Sequence, residues 1–183
     1  MAARIVILNG VGSAGKGSIA KALQAITTDP FLHLEMDTFL NMLPQASFGH
    51  ADGIIFETTE ADGRPLVAIR TAPVAQRALR GMRRAVAAMA AQRNNLIVDE
   101  VMLNGETAEY ATLLSAFEFF LVGVFAPLDV LEARERERGD RMIGLARWQY
   151  DRVHKGKSYD LEVDTGSATP LECAMLIKQS FGL

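Results

Sequence analysis

One stretch constrains this chain more than any other: VILNGVGSAGKGSIAKAL, residues 6–23. An apolar run reaches Gly10, four residues follow, and then come Gly15 and Lys16. A helical pattern begins there, with Ile19, Leu23 and Ile26 on one face. A strand, a Gly-rich turn and a helix in this order make a phosphate-binding loop. Glycines let successive backbone N–H groups curl around phosphate oxygens, and the new helix adds its positive end. The candidate nucleotide-binding residues are Gly10, Gly12, Ser13, Ala14, Gly15, Lys16, Gly17 and Ser18, with Lys16 reaching the β- and γ-phosphates. The competing reading is a Gly-rich turn that meets no phosphate, and Lys16 at the right place argues against it. The general pattern puts Ser or Thr directly after the lysine, to meet Mg2+. Here that residue is Gly17, and Ser18 stands one place late. Ser18 lies on the same first turn, so its hydroxyl is the candidate metal contact.

The rest of the chain alternates around that unit. RIVILNG (4–10), FLHLEMD (31–37), NLIVDEV (95–101), FEFFLVGVFA (117–126) and YDLEVDT (159–165) read as strands. Between them lie helical patterns: a short one stopping near Pro44, another over 72–93, a third over roughly 106–116, and a long charged one from near Asp129. Val74, Ala78, Met82, Val86 and Met89 share a face of the second. Thr169, Pro170 and Glu172 open a terminal helix with an N-cap, a Pro at the first helical position and a capping-box acid. Residues 52–70 break the alternation. Two β-prone runs flank Asp62-Gly63, a hairpin turn, and Pro65 makes the second strand an edge. This segment reads as an insertion or flap over about 50–71. Alternating strands and helices with right-handed crossovers predict an α/β, doubly wound, three-layer fold in one domain spanning 1–183. Ligands in such folds bind beyond the carboxyl ends of the strands, which gathers Gly10 to Ser18, Asp37 and Asp99.

Composition narrows the function classes. A hydrophobic share of 49% and a charged share of 22% over 183 residues suit one soluble domain. A formal net charge of -3 leaves no broad nucleic-acid footprint. The single cysteine, Cys173, excludes an internal disulfide framework and fits a reducing compartment. Its plain reading is a small buried apolar side chain. The N-terminus lacks the features of a signal peptide, and no apolar run approaches the ~20 residues of a membrane span. A cytoplasmic protein with neither nucleic-acid nor membrane partners is expected. The sequence is silent on oligomeric state; an apolar face on the 72–93 helix is compatible with a homo-oligomer and does not require one.

The charged residues divide into functional and structural readings. Asp99 ends LIVD, the usual setting of an acid that orders magnesium, and Glu100 stands beside it to assist; a strand-end acid that caps a loop is the alternative. Asp37, at the end of the second strand, could accept a proton from an attacking hydroxyl or, with Thr38, cap the next helix. Arg134, Arg138 and Arg141 fall along one helical stripe. A triphosphate would offset their repulsion; a solvated face laced by pairs such as Glu137–Arg141 is the alternative. Gly139 interrupts that helix, as the hinge of a lid over about 130–147 would. His154 reads as structural or exposed, Trp148 and the methionines as core, and Arg77, Arg80, Arg83 and Arg84 as the wet face of an Ala-rich helix.

Taken in order, ILNG with SAGK, MD at 36–37, IVDEV at 97–101, RGDR at 138–141, VH with YD and EVDT over 153–165, and ECA at 172–174 resemble the chloramphenicol phosphotransferase family. The resemblance runs along nearly the whole chain. It implies a P-loop kinase fold close to shikimate and adenylate kinases, with sheet order 2-3-1-4-5. It implies transfer of the γ-phosphate of ATP to an alcohol, with Mg2+. On that resemblance Asp37 becomes the base that takes the hydroxyl proton, Lys16, Arg138 and Arg141 act in catalysis, and Arg134 contacts the nucleotide. The family loop has Ser where this chain has Gly17. GKGS also resembles the Gly-Lys-Gly-Thr loop of adenylate kinases, which delays its hydroxyl by one residue. The expected function is an ATP-dependent O-phosphotransferase acting on a chloramphenicol-like antibiotic or related alcohol. A nucleoside or nucleotide kinase and a non-catalytic ATP-binding regulator are the alternatives. The distinct 45–75 segment should help form the acceptor pocket.

Overall fold

The structure, a computed structural model, describes residues 2–139 and 142–183. Its centre is a five-stranded parallel sheet built from β1 (Arg4–Asn9), β2 (Phe31–Glu35), β5 (Asn95–Glu100), β6 (Glu118–Phe125) and β7 (Leu161–Asp164). The strand order is β2-β5-β1-β6-β7, which is the expected 2-3-1-4-5 when only these strands are counted. Strand β1 sits in the middle, and Ile5, Val6, Ile7 and Leu8 are wholly buried. A strand covered on both faces needs such a continuous apolar run. Helices α1 (Lys16–Ile26) and α7 (Pro170–Phe181) cover one face through Ile19, Leu23, Cys173 and Ile177. Helices α3 (Pro73–Ala91) and α4 (Glu106–Leu113) cover the other through Met82, Val86, Ala90 and Tyr110. The buried stripe of α3 runs Ala75, Met82, Val86, Ala90, while Val74 and Ala78 are only half-buried. Helix α7 opens with the expected capping box: Glu172 N donates to Thr169 Oγ1 and Thr169 N donates to Glu172 Oε2. No helix among the described residues is long and apolar enough to cross a membrane.

The insertion forms a separate antiparallel pair, β3 (Ile54–Ala61) with β4 (Arg64–Thr71). At its turn Asp62 has φ 54° and Gly63 φ 69°, the two positive values that a type I′ turn requires. The hairpin is held on its own small core around Leu40, Ile54 and Ala75.

Three sequence expectations change. Strand β2 stops at Glu35, and Asp37 lies in the first turn of the short helix α2 (Met36–Leu40). A carboxylate there meets the positive end of the helix, so the chain turns helical before Asp37 rather than after it. The charged segment over 129–149 is two helices. α5 (Leu128–Arg138) ends at Gly139, φ 68°, and α6 (Leu145–Val153) begins after Gly144, φ 100°. Buried Glu135 joins them by accepting from Gly144 N at 2.8 Å and Ala146 N at 2.7 Å, which satisfies donors that a helix start leaves orphaned.

The third change concerns Arg83, which is buried rather than wet. Its Nη1 donates to Glu100 Oε1 and its Nε to Glu109 Oε2, each at 2.6 Å. Tyr110 Oη donates to the other Glu100 oxygen at 2.6 Å. Glu100 therefore belongs to this buried knot and does not assist Asp99. Burial pushes the Glu100 carboxyl above its ordinary value, while Arg83 and Tyr110 pull the other way. Removing the arginine leaves a buried acid without its counter-charge, which costs about 3–5 kcal/mol. Arg83→Ala is therefore expected to lower unfolding stability in urea by that order. A loss of a few tenths of a kcal/mol, the usual size for a surface change, would contradict the buried pairing.

Candidate functional site

Strand β1 delivers the chain to the carboxyl edge of the sheet at Asn9, which is fully buried. Asn9 Oδ1 accepts from Met102 N at 2.8 Å, and its Nδ2 donates to Val153 O at 3.0 Å and Tyr159 Oη at 2.7 Å. The ends of β5, α6 and the segment before β7 are thus tied beneath the loop. The next residue must lie against β6: a Cβ at Gly10 would stand 2.4 Å from Val124 O. The turn then needs positive φ at Ser13, 67°, and Gly15, 86°, where glycine is at ease and serine is held by its surroundings. Lys16 is buried. Its Nζ donates to Gly10 O and Val11 O, both at 3.0 Å, and lies 3.4 Å from Asp99 Oδ1. An ammonium has three donors, and these three contacts occupy them.

Two residues that the sequence reading did not single out hold the loop from outside. Gln149 Oε1 accepts from Gly12 N at 2.8 Å. Thr165 Oγ1 donates to Ala14 O at 2.9 Å. Arg134 grips the same threonine, with Nη1 donating to Thr165 Oγ1 at 2.9 Å and Nη2 to Thr165 O at 2.8 Å. Thr165 directly follows β7 at the carboxyl edge, a position the strand-end rule could have flagged. Gln149 carried no sequence signal.

Three adjoining hollows lie along this edge. The middle one, about 300 Å³, is lined by the loop with Lys16, Ser18, Asp37, Asp99 and Arg138. On one side a hollow of about 260 Å³ is bounded by Ser13, Ser18, Arg134, Thr165 and Pro170. On the other a hollow of about 440 Å³ is bounded by residues that include Arg70, Leu79, Asn104, Trp148 and Arg152. The last shares Met36, Leu40, Ile69, Val101 and Gln149 with the middle one. The fold thus brings Gly12, Ser13, Gly15, Lys16, Gly17, Ser18, Asp37, Asp99 and Arg138 to one hollow, with Arg134 next door. Gly10 and Ala14 serve through their backbone. Arg141 lies outside the described residues. Trp148 is not core: it is half-buried in the wall of the largest of these hollows, with the Arg152 guanidinium 4.8 Å from its ring centroid.

Carboxylates surround the point where the loop pattern's hydroxyl would sit. A Cβ at Gly17 would stand 3.5 Å from Glu35 Oε1 and 3.6 Å from Asp99 Oδ2. Oxygen donors so placed fit a hard divalent cation. Ser18 is exposed and borders both the middle and the smallest hollow.

His154 is structural. Its ring stacks on Phe125 with centroids 3.8 Å apart, and its Nδ1 lies 2.7 Å from Tyr159 Oη. Asn9 already donates to that phenol oxygen, so the phenol proton points at Nδ1 and the imidazole carries its own proton on Nε2. Burial, reinforced by the charges of Lys157 and Lys16, lowers His154 to about 4. Burial also pushes Tyr159 up to about 12.

Comparison with known proteins agrees with this geometry. The family described as chloramphenicol phosphotransferase-like protein matches residues 3–182. A Mycobacterium tuberculosis protein named "Putative O-phosphotransferase Rv2636" is 30% identical, over 97% of this chain and 82% of its own length. Among solved structures, a gluconokinase from Sinorhizobium meliloti matches with TM-score 0.64 at 16% identity, over 99% of this chain and 92% of that one. Shikimate kinase from Acinetobacter baumannii, in complex with shikimate, matches with TM-score 0.59 at 14% identity, over 98% and 93%. At these identities the likeness to the two structures is one of fold.

The lowered His154 value sets a pH dependence. As pH falls, the unfolded chain takes up this proton before the folded one does. The stability held by the neutral ring is full above about 6.5 and is lost as the pH falls toward about 4. His154→Gln keeps an acceptor for Tyr159 without a titrating ring. Its urea midpoint is expected to fall less than that of the unsubstituted protein between about pH 7 and pH 5. Equal losses in the two proteins would contradict the assignment.

Proposed function

This chain belongs to the chloramphenicol phosphotransferase-like family, and from that premise we propose that it is an ATP-dependent O-phosphotransferase. It moves the γ-phosphate of ATP to a hydroxyl of a small molecule, a chloramphenicol-like antibiotic or a related alcohol. One observation carries this reading: Lys16, Asp37, Asp99 and Arg138 line one hollow that adjoins two others. The triphosphate occupies the middle, with loop N–H groups and Lys16 on its β- and γ-phosphates. The nucleoside lies toward Arg134 and Pro170. The acceptor enters beside Trp148, Met36 and Leu79, and Asp37 lines the middle hollow next to it.

The chemistry follows from that arrangement. The Asp37 carboxylate takes the acceptor's hydroxyl proton as the oxygen bonds to the γ-phosphorus. The bond from that phosphorus to the bridging oxygen breaks, leaving ADP and a phosphate ester. Charge spreads over the equatorial oxygens in the transition state, and Lys16, Arg138 and Arg141 offset it. Asp99, with Ser18 at the mouth, would hold Mg2+, which would supply positive charge against the triphosphate. Positioning and fixed charge supply most of the rate. Helices α5 and α6, hinged at Gly139, act as the lid that keeps water out. ATP as donor implies the cytoplasm as the place of work. Arg70 and Arg152, in the wall of the acceptor hollow, favour a second reading in which the acceptor is a nucleotide.

Transfer of label from [γ-³²P]ATP with Mg2+ tests the proposal, using chloramphenicol, other hydroxylated antibiotics, nucleosides and nucleotides as acceptors. Label on a chloramphenicol-like alcohol is expected. Label confined to a nucleotide would favour the second reading, and no labelled product from any acceptor would contradict the transferase. Asp37→Ala is expected to lower turnover at least ~10²-fold while ATP still binds. An unchanged turnover would remove Asp37 from the mechanism.

A further inference from the structure

Beneath the first turn of α1, β2 and β5 present three ligating side chains. Alternation along β2 puts His33 and Glu35 on one face, and the strand register sets Glu35 beside Asp99. A ring nitrogen of His33 and carboxylate oxygens of Glu35 and Asp99 lie within 4.8 Å of one another. Asp99 divides its oxygens: Oδ1 lies 3.4 Å from Lys16 Nζ, and Oδ2 lies on the side of Gly17.

His33 is the unusual member. Only 10% of its side chain is exposed. Its Nδ1 stops 3.5 Å from Glu35 Oε1, and its Nε2 has no hydrogen-bond partner among the described residues. Buried polar atoms nearly always have partners, and the nitrogen of this ring that is turned to the carboxylates, Nδ1, has only the long contact to Glu35 among the described residues. The phosphoryl-transfer chemistry makes no use of His33. A Mg2+ site takes oxygen ligands and water. An imidazole with two carboxylates is instead a donor set that also suits first-row transition ions.

We propose that His33, Glu35 and Asp99 form a site for a divalent first-row transition cation of the Mn2+ type. The ion takes over the task of the hydroxyl that Gly17 lacks. Its role toward the triphosphate rests on the phosphotransferase reading; its binding does not. Three protein ligands leave positions open for phosphate oxygens or water. Ligation of one ion brings these groups closer together than the 4.8 Å within which they now stand. Glu35, whose side chain is 41% exposed, has the freedom to close on the ion.

The test titrates Mn2+ into the full chain without nucleotide or acceptor, followed by electron paramagnetic resonance. One bound Mn2+ per chain is expected, with nitrogen coupling from the imidazole in the pulsed spectrum. His33→Ala should abolish the coupling and weaken binding at least tenfold. Glu35→Gln should weaken binding to a similar extent and keep the coupling. Because Glu35 is partly exposed, that variant preserves the test if His33→Ala does not fold. No binding without nucleotide, binding without nitrogen coupling, or binding unchanged in both variants would overturn the site. Labelled transfer in the same preparation keeps the two ideas apart. Coupled Mn2+ without transfer supports the site and counts against the phosphotransferase. Transfer with Mg2+ and no Mn2+ binding overturns the site and leaves the phosphotransferase standing.

Discussion

A grip on phosphate needs several backbone N–H groups to converge within a single turn, and the carboxyl edge of this sheet is built around that requirement. The loop tolerates no side chain at Gly10, because Val124 O would stand 2.4 Å from its Cβ. It needs positive φ at Ser13 and Gly15. Such a turn does not hold itself. Lys16 pins it from within through Gly10 O and Val11 O. Thr165 holds it at Ala14 O and Gln149 at Gly12 N. Asn9 anchors the strand that feeds it. Each tether comes from a different element, so the loop's shape is a property of the whole edge.

The same tethers link the loop to α5, α6 and the hairpin. Gln149 lies on α6, so the loop is bonded to the second helix of the charged segment. Helix α6 is in turn fixed to α5 by Glu135 and to the hairpin by Val67 N, which donates to Gly144 O at 3.1 Å. The hairpin supplies Ile69, Arg70 and Thr71 to the largest of the three hollows. The hairpin that borders the largest hollow is thus attached to the two helices beside the loop. Shared core architecture leaves the acceptor open.

Much of the fold was legible because one strand-loop-helix unit forces a parallel sheet, and the alternation of the rest fills it in. Lys16, Asp37 and Asp99 were legible as a group because the chain crosses one edge of the sheet at all three, while Arg138 was legible from its helical stripe and the family resemblance. What was hidden depended on partners from elsewhere in the fold. Arg83 looks like its neighbours Arg77, Arg80 and Arg84 until Glu100 and Glu109 are brought against it. The end of β2 was misplaced because an acid two residues into a helix looks, in sequence, like an acid closing a strand. His33 and Glu35 share a face by simple alternation, yet the pair meant little before the sheet order set Asp99 beside it.

The central claim is that Lys16 and the loop around it hold a triphosphate. Isothermal titration of a non-hydrolysable ATP analogue, with the unsubstituted protein and with Lys16→Met, tests it most directly. One analogue bound per chain is predicted, with affinity reduced about thirtyfold or more in the variant, the usual consequence of removing one partner of a buried charge pair. Equal affinity in the two proteins, or no binding in either, would contradict it.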